Sequence, residues 1–193
     1  MPEPIYLDHN ATTPLLPEVA EIMLGCWKSS NRNPASQHSF GRHARQLLES
    51  VRMRIGELLG LTPNDQLVFT SGGTESNNLA IRGLLLRAGA SSPPSSRPAH
   101  LIISAVEHPS ITALANELQR NGHELDVIPV DAHGVIRVEC LEKLLKPNTS
   151  VVAAIKGQNE TGVLQPIAEL AEICSRHHVP LHTDAAQVAG KIP

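Results

Sequence analysis

Aromatic residues are nearly missing from this chain: Trp27, Tyr6, Phe40 and Phe69 are the whole set. The core is therefore expected to be aliphatic, and the stacking platforms that grip single-stranded nucleic acid are not expected. Cysteine is scarce too, and odd in number: Cys26, Cys140 and Cys174 lie far apart with no CxxC. Each falls within a helix-like pattern, so buried reduced thiols are expected rather than a disulfide or a metal site. A block of like charge is also missing. Net charge is −3, with Lys and Arg scattered, which argues against a DNA or RNA partner and against an anionic membrane surface. No apolar run approaches membrane-spanning length, and the opening MPEPIYLDHN does not read as a signal peptide. A cytoplasmic protein is expected.

What is present is ordinary for a globular chain: 193 residues, 41% hydrophobic and 18% charged. That suits one medium domain or an incomplete larger one. Residues 5–7 are β-prone and lead into turn chemistry at 8–14. Pro17 marks a helix start, with Val19, Ile22, Met23 and Cys26 at helical spacing. Residues 29–39 read as a loop. A long helix from about Gly41 carries Leu48, Val51, Ile55, Leu58 and Leu59 on one stripe and stops at Gly60. Strands are then expected at 67–70, 100–104, 125–130, 150–155 and 179–183. Between them lie helices from Thr74 to about Arg87, around Ile111–Leu118, over 138–145, and from Pro166. Residues 88–98, AGASSPPSSRP, read as a flexible surface insertion. This alternation predicts an α/β fold with a mostly parallel central sheet flanked by helices.

In such sheets ligands bind beyond the carboxyl ends of the strands. The expected strands deliver Gly72-Gly73-Thr74, Glu107-His108, Lys156 to Gly162, and Asp184-Ala185-Ala186-Gln187 to that edge. A glycine turn opening a helix presents unpaired N–H groups and partial positive charge to an anion, so Gly73 and Thr74 suit a phosphate. His108 could stack on a ring, and Asp184 could pair with a ring nitrogen, as pyridoxal phosphate requires to act as an electron sink. Gln187 could reach a ring substituent. Each has a plainer reading: a Gly-Gly turn without a ligand, a helix start at His108, turn residues at Asn159 and Gly162, a cap at Asp184. Their convergence on one edge favours a site. A nucleotide-binding module is the other class considered, but neither GxGxxG nor GxxxxGK occurs.

The motifs YLDHNATTP (6–14), NPASQHSFG (33–41), VFTSGGTESNNLAIRG (68–83), Glu107-His108, QNETGVLQPI (158–167) and HTDAAQVAGKIP (182–193) resemble the cysteine desulfurase and selenocysteine lyase branch of the class V aminotransferases. These are fold-type I pyridoxal-phosphate enzymes. The resemblance implies a cofactor phosphate on Gly73 and Thr74. It implies His108 against the pyridine ring and helping to move protons, Asn159 near the phenolic oxygen, Asp184 on the pyridine nitrogen, and Gln187 on the ring hydroxyl. It also implies removal of sulfur from L-cysteine, or selenium from L-selenocysteine, to leave L-alanine, with a loop cysteine taking the chalcogen as a persulfide. Homodimers, sulfur-acceptor proteins and iron–sulfur cluster assembly go with the family.

The departures are as informative. The family's cofactor lysine follows a Gly-His pair beyond the DAAQ segment, and none of Lys28, Lys143, Lys146, Lys156 and Lys191 follows a histidine. Lys156 stands where relatives usually carry apolar or small residues, and could offer a fortuitous amine. No cysteine of this chain matches the persulfide position. The expectation is an N-terminal arm, helix and loop over 1–40 and a partial cofactor-binding large domain over 41–193, without the small C-terminal domain. Such a chain would be inactive or nearly so alone. It could pair with a complementary chain, and an unpaired sheet edge would drive association.

Overall fold

The computed structural model describes residues 4–30, 32–90 and 98–192. Two compact units divide at Phe69 and Thr70, and each is described by itself.

The first unit, Met1–Phe69, holds helices α1 (Pro17–Ser30) and α2 (Ser39–Leu58). Pro17 opens α1, where its missing N–H costs nothing. His38 caps α2 by accepting from Gly41 N–H at 3.3 Å. A Cβ on Gly41 would lie 2.2 Å from Ser36 O, so only glycine fits there. Gly60, at φ +67°, stops the helix as expected. The apolar stripes lie on these helices but are largely uncovered: Ile22 is 67% exposed, Trp27 66% and Leu58 86%. Cys26 is exposed as well, which corrects the expectation of a buried thiol.

Residues 67–70 form no strand. The residue types were right, but a strand exists only where a second backbone supplies its ladder. The Leu67 carbonyl instead accepts from the Arg52 guanidinium, which also lies 4.7 Å from the Phe69 ring centroid.

The second unit is built on α3 (Gly73–Ala90), β1 (His100–Ser104), α4 (Pro109–Arg120), β2 (Glu124–Ile128), α5 (Leu141–Leu144), β3 (Thr149–Ala153), α6 (Ile167–Arg176) and β4 (Leu181–His182). The helix expected over 138–145 is split, with a 3-10 turn at Val138–Cys140 ahead of α5. The last strand shrinks to two residues. Of the expected insertion, residues 91–97 lie outside the described residues, and α3 runs to Ala90.

The strands form one four-stranded sheet in the order β2-β1-β3-β4, with every pairing parallel. Strands β1 and β3 are central and read as continuous apolar runs because both their faces are covered. Alternate side chains enter two cores. Leu101, Ile103, Val151 and Ala153 meet Ile81 and Leu85 of α3 and Ile111, Leu114 and Leu118 of α4. Ile102, Val152 and Ala154 meet Leu141, Leu170, Ile173 and Cys174. Burial pushes the Cys174 thiol up to about 11, which leaves it unreactive, while Cys140 is half-buried. The chain passes from β1 to β2 on one side and returns to β3 on the other, so the topological switch falls between β1 and β3.

His100 closes the opposite end of the sheet. It is fully buried, and its Nδ1 lies 2.8 Å from Thr149 Oγ1. Thr149 Oγ1 already accepts from Lys146 N–H, so its own proton goes to Nδ1 and the imidazole proton sits on Nε2. That Nε2 lies 3.1 Å from Asp126 Oδ2 but out of line for a good hydrogen bond. Burial, assisted by the Lys146 charge, holds the ring below the usual histidine range against the pull of Asp126 and Glu124. The unfolded chain therefore binds more protons than the folded one once pH falls below about 6.5. Stability from His100 is full above that value and lost as pH falls through the folded pKa. Denaturant unfolding midpoints measured across this range should drop on acidification, and His100→Gln should drop less steeply than wild type.

Candidate cofactor site

All the candidate residues lie in the second unit. At the start of α3, Gly72 O accepts from Ser76 N–H at 3.1 Å. That leaves the N–H groups of Gly73, Thr74 and Glu75 outside the helical ladder. Gly73 thus belongs to the helix rather than to the turn before it. Glu75 reaches back to accept from Ser71 N–H and Ser71 Oγ–H, each at 2.6 Å, and these bonds hold its carboxylate below the usual range. A Cβ on Gly72 would meet no atom within 4 Å. The turn is open on that side, as approach of an anion requires.

Asp184 follows β4. Its Oδ1 accepts from Ala186 N–H at 2.9 Å and its Oδ2 from Asn77 Nδ2 at 2.9 Å. Both oxygens are oriented and both retain a lone pair for another donor. Its carbonyl accepts from Lys156 N–H at 2.8 Å, which carries the β3–β4 pairing past the strand ends. A Cβ on Gly73 would stand 4.0 Å from Ala186 Cβ, so the helix opening and the Asp184 segment are neighbours.

Asn77, one turn into α3, joins the pieces. It is buried, and its Nδ2 donates to Ser110 Oγ at 3.0 Å as well as to Asp184. Its Oδ1 lies 2.9 Å from His182 Nε2, which must therefore be the protonated nitrogen. Burial holds His182 below the usual range, opposed by Asp184. Ser110 Oγ–H donates to His108 Nδ1 at 2.8 Å, and Ser110 N–H donates to the same nitrogen at 3.1 Å. His108 is thus the N-cap of α4, as the plainer reading had it, and it is also tied to the Asp184 network with its proton on Nε2. Asn77 and His182 lie inside the quoted motifs without an assigned role, and Ser110 lies two residues beyond the Glu107-His108 pair. A pair of asparagines within a helix, where asparagine is a poor former, was the available signal.

Asn159 sits in the turn between Gly157 and Leu164, which bridge one another. Gln158 Oε1 braces that turn by accepting from Glu160 and Thr161 N–H, and Gly162 takes φ +75°. A Cβ on Gly157 would fall 2.6 Å from Val188 Cγ2, so this loop packs directly on the segment after Asp184. Among the described residues the Asn159 side chain makes no hydrogen bond to His108 or Asp184. Gln187 lies in a turn rather than a helix, and its Oε1 accepts from Lys191 Nζ at 2.7 Å.

The class V aminotransferase family profile matches residues 5–193. The chain belongs to that family. One relative is the cysteine desulfurase IscS of Dictyoglomus turgidum (strain DSM 6724 / Z-1310). It is 38% identical over 193 residues, which are 100% of this chain and 47% of that protein. A NifS-like protein of known structure superposes with a TM-score of 0.89 at 31% identity, covering 98% of this chain and 50% of its own. A structure described as SspA in complex with cysteine gives 0.83 at 31%, covering 92% of this chain and 49% of its own. The chain spans about half the length of the proteins it matches.

Class V aminotransferases are pyridoxal-phosphate enzymes, and the residues gathered at this edge fit that group. A helix start with unused N–H groups suits the phosphate, and an oriented carboxylate with spare lone pairs suits a protonated ring nitrogen.

Asn77→Ala should destabilise the chain by about 1–3 kcal/mol, because buried partners lose their hydrogen bonds. Asn78→Ala, at a half-buried neighbour whose amide bonds only the Thr74 carbonyl of the same helix, should cost less, about 1 kcal/mol or below. Gly157→Ala should cost about 1–3 kcal/mol through overpacking against Val188. Urea unfolding of the three variants tests this ranking.

Proposed function

We propose that this chain binds pyridoxal 5′-phosphate at the carboxyl edge of its sheet and contributes the cofactor pocket of a cysteine desulfurase. The observation that carries the reading is the doubly anchored Asp184 carboxylate standing beside the opening of α3. Gly73 N–H, Thr74 N–H and the Thr74 hydroxyl bind the phosphate. Asp184 accepts from the ring nitrogen and keeps it protonated. His108 lies against the ring, with Ser110 orienting it so that Nε2 holds the proton to be moved. Asn159 and Gln187 contact the ring's oxygen substituent, and Gln187 exchanges its Lys191 contact for it. Pyridoxal phosphate, when bound, withdraws electrons from the substrate's Cα and so supplies the chemistry that these side chains lack.

The substrate of the assembled enzyme is L-cysteine, and L-alanine and protein-bound sulfur are its products. Support comes from the cysteine desulfurase relatives and from the cysteine complex of the neighbouring structure. Residues 41–193 act as part of the cofactor-binding large domain. The working form is a homodimer or a pairing with a complementary chain in the cytoplasm, passing sulfur to acceptor proteins such as those of iron–sulfur cluster assembly. The 193 residues hold no Gly-His-Lys segment, so the chain alone should release little or no alanine from cysteine. Turnover at the rate of an ordinary enzyme, measured as alanine release with added pyridoxal phosphate, would refute that.

Binding is tested by absorbance titration with pyridoxal phosphate, with a nucleoside triphosphate as the comparison ligand. Thr74→Ala should weaken pyridoxal phosphate about tenfold or more, the equivalent of a charge-assisted hydrogen bond of roughly 1.5 kcal/mol or above. An unchanged affinity would remove Thr74 from the cup.

A further inference from the structure

Glu107 occupies the switch point between the two central strands, and nothing in the proposed chemistry uses it. Its side chain is buried, with only 8% of the residue exposed. Oε1 accepts from Ile155 N–H, just past β3, at 2.8 Å and also contacts Ser104 Oγ at the end of β1. Ser104 Oγ is in turn 3.4 Å from Val106 N–H. Oε2 is buried with no partner. A carboxylate with one bare oxygen in such a place is costly, whereas the neutral acid leaves only an ordinary polar group unpaired. Burial does push the Glu107 carboxyl above the usual range, and the nearby Asp184 charge adds to this against the hydrogen bonds from Ser104 and Ile155.

We infer that Glu107 is a positioning residue, a neutral acid that ties the carboxyl ends of β1 and β3 together and leaves to Asp184 the negative charge offered to a ring nitrogen. The tie acts on both sides of the edge. Ile155 precedes Lys156, whose N–H holds the Asp184 carbonyl, and Glu107 precedes His108. The spacing of Asp184 and His108 is therefore set through one buried side chain. Its neutrality keeps the negative charge that selects a protonated ring on one residue.

The inference rests on the proposed cofactor only in its binding arm, so the test has two arms on the full 193-residue chain. In the first, glutamate is labelled with 13C at the carboxyl, and the Glu107 signal is identified by its loss in Glu107→Gln. It should stand at the neutral-acid position near pH 7, far above the titration of exposed glutamates. A signal at the ionised position overturns the inference. In the second arm, Glu107→Gln keeps an acceptor at Oε1 and should hold pyridoxal-phosphate affinity within about threefold, with an unchanged pH profile. Glu107→Met keeps the volume, loses the acceptor and should weaken affinity about tenfold or more. Weakening in Glu107→Gln equal to that in Glu107→Met, a tilted pH profile, or failure of Glu107→Gln to fold overturns the inference. Failure of the wild-type chain to bind pyridoxal phosphate sinks the proposed function instead, and the carboxyl signal then decides this inference by itself.

Discussion

A primary amide buried in a helix must find partners for two donors and an acceptor, and Asn77 finds all three on two separate segments. Those partners are Ser110 at the start of α4, His182 in β4 and Asp184 just beyond it. The requirement works in both directions. Asn77 orients the Asp184 carboxylate and selects the tautomer of His182, and those groups in turn lock its side chain against the carboxyl edge of the sheet. Helix α3 could not slide or rotate by one residue without leaving several buried polar atoms unpaired. Its first turn, where the phosphate is proposed to bind, is fixed by a contact one turn further on.

The two ends of the sheet are built on different terms. At the amino end, His100 is enclosed, and Lys146 Nζ lies between Glu124 Oε2 at 2.9 Å and Asp126 Oδ2 at 2.8 Å. Such exposed pairs contribute little each, but together they use up the local charge and leave nothing presented for chemistry. At the carboxyl end the polar groups are held from behind and keep capacity in front. Asp184 retains lone pairs, His108 keeps its Nε2 proton, and the first N–H groups of α3 stay outside the ladder. Topology puts these groups at one edge, and a few long-range hydrogen bonds aim them.

Legibility in the sequence followed the range of the interactions. Strands β1 and β3 were readable because residues 100–104 and 150–155 are unbroken apolar runs, and α4 because Ile111, Leu114, Ala115 and Leu118 repeat at helical spacing. The placement of His108, Asn159 and Asp184 beyond the sheet's carboxyl ends was readable too, since each closely follows an expected strand. What failed depended on a distant partner. Residues 67–70 look like a strand until Arg52, from α2, takes the Leu67 carbonyl. The stripes on α1 and α2 mark a face correctly and say nothing of what covers it, so Cys26 was expected inside and lies outside. Nothing local marks Gly157 as a glycine-only position, since the demand comes from Val188. Asn77 and Glu107 act on positions 107 and 48 residues away, beyond any local pattern.

The amide at the centre of the network has one more consequence. His182, Asn77, Ser110 and His108 form an unbroken row of hydrogen bonds, which at first sight is a conduit for protons. An amide at neutral pH neither gains nor loses a proton, so nothing can hop through Asn77. The row transmits direction without conducting charge. The two imidazoles are thus aligned with each other through Asn77, while a proton on one is not handed along the row to the other.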